Sequence, residues 1–163
     1  MKIIIVDDRP YFMWETIERL KEMGVDEIVV LYYHGIFTYF PDKDSEIAQK
    51  CEELGVKLFH IDQDTELMEH LDGYCAEADT LIFMDFGLGD TDIFEDRIDV
   101  VYAKTKMQSG GFPIWFYTGM GEQVIDRLNR AFDNHTIPVG EFIPQSEIME
   151  LDYDYIRSRV LHI

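Results

Sequence analysis

The chain opens with Met1-Lys2-Ile3-Ile4-Ile5-Val6-Asp7-Asp8, in which four consecutive apolar residues run directly into two acids. An uninterrupted apolar run, without alternating polar positions, is typical of a parallel strand that is covered on both faces. The two acids also interrupt the run too early for a secretory signal peptide. The stretch therefore predicts a buried first strand that ends in a pair of aspartates.

Along the rest of the chain, short apolar runs alternate with segments in which apolar residues recur at helical spacing. Helical spacing follows each run, with Gly24 and Gly55 placed where helices would stop and Ser45 placed to cap the second helix. Six strands are predicted, at residues 3–6, 27–33, 56–61, 80–85, 113–118 and 137–143. Six helices alternate with them, marked by apolar stripes that begin at Trp14, Ile47, Leu67, Ile93, Val124 and Met149. Strict alternation predicts an α/β fold with a doubly wound parallel sheet, formed by a single domain over residues 1–163.

Composition narrows the class of protein. The 163 residues are 47% hydrophobic and carry a net charge of −19, from 14 Lys and Arg against 33 Asp and Glu. Nucleic-acid phosphates and anionic lipids repel so acidic a chain, and no run approaches the ~20 apolar residues of a membrane helix. Cys51 and Cys75 lie within helical patterns, which favours reduced, unreactive thiols. We expect a cytoplasmic protein whose partners are other proteins or cations.

Acidic and hydroxyl side chains follow three of the predicted strands. Asp7 and Asp8 end the first strand, Asp85 ends the fourth, and Thr118 ends the fifth. In a doubly wound sheet, ligands bind beyond the carboxyl ends of the strands, where the strand order reverses. Converging carboxylates repel one another, and a hard cation such as Mg²⁺, which prefers oxygen ligands, relieves the repulsion.

This order of residues resembles the receiver domain of bacterial response regulators, of the chemotaxis type with a flavodoxin-like sandwich. The resemblance implies that Asp85 accepts a phosphoryl group and that Thr118 senses it. It also implies that Asp7, Asp8, Asp85 and the backbone carbonyl of Gly87 hold Mg²⁺. The implied partners are a histidine kinase or phosphotransfer protein and a downstream protein target, as in two-component phosphorelay signalling.

The sequence departs from the receiver pattern at the last strand. The family has a lysine before a proline there, whereas this chain has Ile143-Pro144, and the family's aromatic switch position falls on Gly140. Loss of the lysine removes a charge-assisted contact to a phosphoryl oxygen, worth about 1.5–3 kcal/mol, while leaving the metal ligands in place. Arg9, next to the acidic pair, is a candidate substitute charge.

Three functions remain open. The first is a divergent stand-alone receiver, and the second is a phosphorylation-independent pseudo-receiver that acts as an interaction module. The third is a Mg²⁺-dependent phosphohydrolase of the haloacid dehalogenase type. That family repeats an aspartate two positions after its nucleophile, whereas Arg9 follows Asp7 at that distance and Pro10 follows Asp8. In the simplest structural interpretation, Asp7 and Asp8 form a solvated turn in which one acid caps the first helix, and Thr118 caps the helix that begins near Gly121.

Residues 34–60 exceed a minimal receiver and predict an edge strand and helix inserted after strand 2. Aromatic residues concentrate in and just before this insertion, at Tyr32, Tyr33, Phe37, Tyr39 and Phe40. Two interpretations compete: the rings form the core of the added unit, or they form an exposed patch for a partner. The five histidines show no ligand spacing, so we expect them to be ordinary surface or boundary residues.

Overall fold

A computed structural model describes residues 1–77, 79–85, 88, 114–118, 142–144 and 154. The strands are β1 (Lys2–Asp7), β2 (Glu27–Tyr33), β3 (Lys57–Ile61), β4 (Thr80–Asp85), β5 (Ile114–Thr118) and β6 (Phe142–Pro144). The described helices are α1 (Trp14–Glu22), α2 (Asp44–Leu54) and α3 (Asp64–Cys75), with 3-10 turns at Pro10–Phe12 and Pro41–Lys43.

The strands form one sheet in the order β3-β2-β1-β4-β5-β6, and every neighbouring pair is parallel. The predicted α/β class with a parallel sheet is therefore confirmed. β1 lies between β2 and β4, and Ile3 to Val6 are completely buried, as their continuous apolar run predicts. β3, which follows α2, is an edge strand next to β2.

Helices cover the two faces of the sheet. Ile17 and Leu20 of α1 and Ile47 of α2 belong to one core cluster with alternate residues of β1, β2 and β4. α3 contacts β3 and β4 and buries Leu67 and Leu71 fully. α1 and α2 lead outward from β1 to the β3 edge, whereas α3 leads back across the sheet to β4. Right-handed crossovers therefore place α3 on the opposite face.

Both predicted glycine stops are confirmed. Gly24 and Gly55 have positive φ angles of 87° and 66°, a backbone conformation that a side chain disfavours. After α2, the Val56 N–H donates to the Cys51 carbonyl, so β3 begins at Lys57 and not at Val56. The predicted Ser45 cap is wrong: the 3-10 turn at Pro41–Lys43 leads directly into α2, which begins at Asp44 and encloses Ser45.

Several predicted elements lie outside the described residues. These are Ala78 at the end of the third helix, the helical patterns from Ile93 and Val124, and residues 137–141 of the last strand. Asp154 is helical, in agreement with a C-terminal helix at that position.

The aromatic residues around the 34–60 segment divide between the two competing interpretations. Tyr32 and Tyr33 are buried, and Tyr39 packs against the core cluster. Phe37 is 84% exposed and Phe40 51% exposed. The segment thus supplies both a core and an exposed aromatic patch. No helix among the described residues is long and apolar enough to cross a membrane.

Candidate metal centre

The three predicted acids meet where β1 and β4 lie side by side. Val6 pairs with Met84, so the next residues in the same register are Asp7 and Asp85, the last residues of β1 and β4. The strand order reverses here, because β1 leads through α1 to β2 on one side while α3 leads back to β4 on the other. This is the switch point at which parallel sheets place their ligands.

Asp7, Asp8 and Asp85 each offer a carboxylate oxygen within 4.8 Å of the other two. Asp7 and Asp8 are buried, with Asp8 only 7% exposed, and Asp85 is partly buried. Among the described residues, this is the one group of three or more side chains suited to holding a metal ion. The sequence prediction that these carboxylates converge is therefore confirmed by the geometry.

The backbone and Arg9 hold the acidic pair in place. The Arg9 N–H donates to Asp7 Oδ1 at 2.7 Å, which turns the chain at the end of β1. Arg9 Nε lies 3.8 Å from Asp8 Oδ1, while its guanidinium sits over the ring of Phe12, 5.6 Å from the ring centroid. The half-exposed arginine thus stands at the margin of the acidic cluster and compensates it only in part.

Electrostatics at this site favour a bound cation. Desolvation raises the pKa of Asp85 well above its ordinary value, and the charges of Asp7 and Asp8 raise it further. Asp8 Oδ1 is buried and accepts no hydrogen bond within the described part of the chain. A buried carboxylate oxygen that lacks a hydrogen bond, among mutually repelling acids, fits a hard divalent ion, which would bind Asp7, Asp8 and Asp85 and offset their charge.

The loop after β2 comes near the acidic cluster at Gly35. A Cβ on Gly35 would clash with Thr38 Oγ1 and would lie 3.7 Å from Asp8 Oδ2. Gly35 therefore packs closely against the Thr38 hydroxyl and lies near the Asp8 carboxylate. The two residues that follow Gly35, Ile36 and Phe37, have exposed side chains.

The other residues that the receiver resemblance singled out are placed only by backbone register. Asp85 pairs with Tyr117, and Tyr117 pairs with Ile143, so Ile143 lies in the same row of the sheet as Asp85, two strands away. Thr118 lies one residue further along β5 and pairs with Pro144. Gly87 and Gly140 lie outside the described residues.

Two histidines that the sequence pattern left unassigned meet at the same edge of the sheet. His34 Nε2 lies 2.8 Å from His60 Nδ1, and His34 Nδ1 lies 2.5 Å from Asp62 Oδ1. Their expected location at the surface or its boundary is confirmed, since His34 is partly buried and His60 is exposed, but the contact between the two rings was not predicted. The sequence position of these residues could have indicated the contact. His34 directly follows β2 and Asp62 directly follows β3, and the two strands are neighbours in the sheet.

Comparison of the chain with models of protein families, with curated proteins and with solved structures gave no match.

Proposed function

We propose that the chain is a divergent receiver domain that accepts a phosphoryl group on Asp85 in a Mg²⁺-dependent reaction. The observation that carries the proposal is the convergence of Asp7, Asp8 and Asp85 at the switch point of a parallel sheet. Its partners would be a histidine kinase or phosphotransfer protein and a downstream protein target.

The proposal includes a flavodoxin-like, receiver-type architecture. The five strands in the order β2-β1-β4-β5-β6 correspond to a receiver sheet, and α2 with β3 forms the unit inserted at its edge. Support comes from the edge position of β3 and from the position of Asp85 at the end of the strand next to β1. In this scheme the insertion enlarges the sheet without separating the acidic residues.

The roles of the side chains follow from their environment. An oxygen of the Asp85 carboxylate attacks the phosphorus of a phosphohistidine or small phosphodonor, and the bond from phosphorus to the donor atom breaks. Asp7 and Asp8 would hold Mg²⁺ with Asp85, and the ion would supply positive charge beside the transferred phosphoryl oxygens. Ionised Asp85 is the nucleophile, and its pKa is raised by burial and by Asp7 and Asp8, so a bound cation would favour the reactive, ionised form.

A direct test treats the protein with acetyl phosphate, with and without Mg²⁺, and measures intact mass. We expect one added phosphoryl group that requires Mg²⁺ and is absent in Asp85→Asn. Asp42→Asn is the matched control, because Asp42 is an exposed aspartate in the 3-10 turn before α2. Absence of the mass gain with acetyl phosphate, phosphoramidate and a phosphorylated phosphotransfer protein alike would contradict the proposal.

Ile143 favours a second candidate, the phosphorylation-independent pseudo-receiver. An apolar residue stands in the row of Asp85, where the receiver resemblance requires the lysine that pairs with the phosphoryl group. Thermal unfolding with Mg²⁺ alone and with Mg²⁺ plus beryllofluoride separates the two functions. A working phosphoacceptor is stabilised further by beryllofluoride, whereas a pseudo-receiver responds to Mg²⁺ at most.

A further inference from the structure

We infer that His34 and His60, supported by Asp62, form a second metal site that takes a borderline transition-metal ion such as Zn²⁺. The observation is the convergence of two imidazole nitrogens, His34 Nε2 and His60 Nδ1, at 2.8 Å. The inference is independent of the proposed phosphoryl transfer, because none of these three residues belongs to the Asp7, Asp8 and Asp85 cluster.

Hydrogen bonding fixes which nitrogens face each other. The Asp62 carboxylate accepts a hydrogen bond from His34 Nδ1, so the lone pair of neutral His34 lies on Nε2. In this pair of neutral tautomers, that lone pair accepts the Nδ1–H of His60. A carboxylate on the remote nitrogen of a metal-binding histidine is the usual device for orienting the ring and increasing its basicity.

Ring contacts hold His34 in this orientation. Its ring stacks on Tyr39 with centroids 3.9 Å apart and an angle of 14° between planes. The Tyr32 ring makes an edge-on contact with the His34 ring and a tilted contact with the His60 ring. The side chain of His34 is 11% exposed, whereas His60 is exposed, so one imidazole is anchored and the other can adjust.

The geometry requires a small movement. Two imidazoles on a tetrahedral zinc ion, each about 2.0–2.1 Å from the metal, have nitrogens about 3.3 Å apart. The nitrogens must therefore move apart by about 0.5 Å, and each lone pair must turn by about 35° from the line that joins them; the exposed His60 ring can make most of this movement. The His60 proton moves from Nδ1 to Nε2 through solvent, so a neutral pair binds the ion without net proton release.

Ligand chemistry separates this site from the acidic cluster. Imidazole nitrogens suit Zn²⁺ and related ions, whereas carboxylate oxygens suit Mg²⁺. Within the described residues no third side chain joins the two histidines as a donor group, so water molecules complete the coordination. Such a two-imidazole site leaves coordination positions open to an exchangeable ligand.

The test is Zn²⁺ titration by calorimetry in excess Mg²⁺, combined with NMR of the imidazole nitrogens. We expect binding that shifts His34 Nε2 and His60 Nδ1, is lost in His60→Gln and His34→Gln, and weakens 10- to 100-fold in Asp62→Asn. The control is His70→Gln: His70 belongs to α3 on the opposite face and contacts Phe59, and its loss should leave binding unchanged.

The outcomes separate the two sites. Asp85→Asn should retain Zn²⁺ binding, whatever its effect on phosphorylation. The inference is overturned if Zn²⁺ does not bind, if the His60 and Asp62 variants bind as tightly as the unaltered protein, or if binding depends on Asp85 instead. Thermal unfolding of each variant checks the fold, and Asp62→Asn alters an exposed side chain that should leave it intact.

Discussion

The carboxyl group of Asp85 binds its proton more tightly in the folded chain than in the unfolded chain, because burial and two neighbouring acids oppose its ionisation. Between its ordinary pKa and the raised folded pKa, the native state therefore holds more protons than the unfolded state. The free energy of unfolding must fall as pH rises across that interval, and it stays low above it. The acidic cluster is thus built at a cost to the stability of the metal-free protein.

Replacement of Asp85 by Asn should remove this cost. In metal-free buffer we expect Asp85→Asn to have a higher free energy of unfolding than the unaltered protein at neutral pH, and a flatter pH profile above the ordinary aspartate pKa. Urea unfolding from about pH 4 to about pH 8 measures both effects. Asp42→Asn is the control and should follow the unaltered protein; a less stable Asp85→Asn would show that the cluster is not under repulsion.

The Cys51 thiol should be unreactive in the native protein. It is 2% exposed on α2, and burial raises its pKa to about 11, so the reactive thiolate is scarce near neutral pH. We expect disulfide reagents to label Cys51 in urea but not under native conditions, measured by peptide mapping so that Cys75 is followed separately. Equal labelling rates in both conditions would contradict the burial of this side chain.

Single residues show which parts of the site could be predicted. Asp7 and Asp85 were found because each ends an apolar run, and a parallel sheet gathers strand ends at one edge. His34 and His60 were missed because their contact depends on register: Tyr32 pairs with His60 across β2 and β3. The register between two strands cannot be derived from the spacing of residues along the sequence.

At the scale of secondary structure, helix ends were predicted correctly where the backbone needs a positive φ angle, which favours glycine. Gly24 and Gly55 end helices in conformations that other residues disfavour, and both were assigned correctly. The start of α2 was misplaced because Ser45 is a good capping residue in isolation, whereas Pro41 initiates a turn that leads into the helix earlier. The start of α2 is therefore set by the preceding 3-10 turn and not by the capping preference of Ser45.

Substitution of two glycines tests the helix assignments, because Gly55 ends α2 whereas Gly73 lies inside α3. Gly55→Ala places a side chain at φ 66° and should destabilise the protein by about 1 kcal/mol. Gly73→Ala lies within α3 with nothing within 4 Å, so it should stabilise the protein by about 0.5–1 kcal/mol. Urea unfolding of both variants measures the two signs; stabilisation by Gly55→Ala would rule out the left-handed C-cap of α2.

At the scale of the whole molecule, the net charge of −19 has two parts. One is spread over exposed acidic side chains, and the other is concentrated in the cluster of Asp7, Asp8 and Asp85. Salt screens exposed charges beyond about 10 Å at 0.1 M ionic strength, so it weakens the diffuse repulsion. It does little for buried carboxylates such as Asp7 and Asp8. The two parts should therefore respond differently to a monovalent salt and to a divalent ion.

We expect NaCl to raise the thermal unfolding midpoint modestly, and MgCl₂ at the same ionic strength to raise it further. The additional rise should vanish in Asp85→Asn and persist in Asp42→Asn, because only the first loses a ligand of the acidic cluster. Differential scanning calorimetry provides the measurement. Equal midpoints in the two salts would assign all the stabilisation to screening.

The placement of β1 between β2 and β4 has a kinetic consequence. β1 meets β2 after one short helix, but Lys2 pairs with Thr80, so the pairing with β4 must close a long loop whose entropy opposes it. The acidic cluster is complete only when that closure has occurred. A divalent ion that binds the cluster should therefore slow unfolding more than it speeds the early steps of folding, and stopped-flow measurements would record it mainly in the unfolding limb.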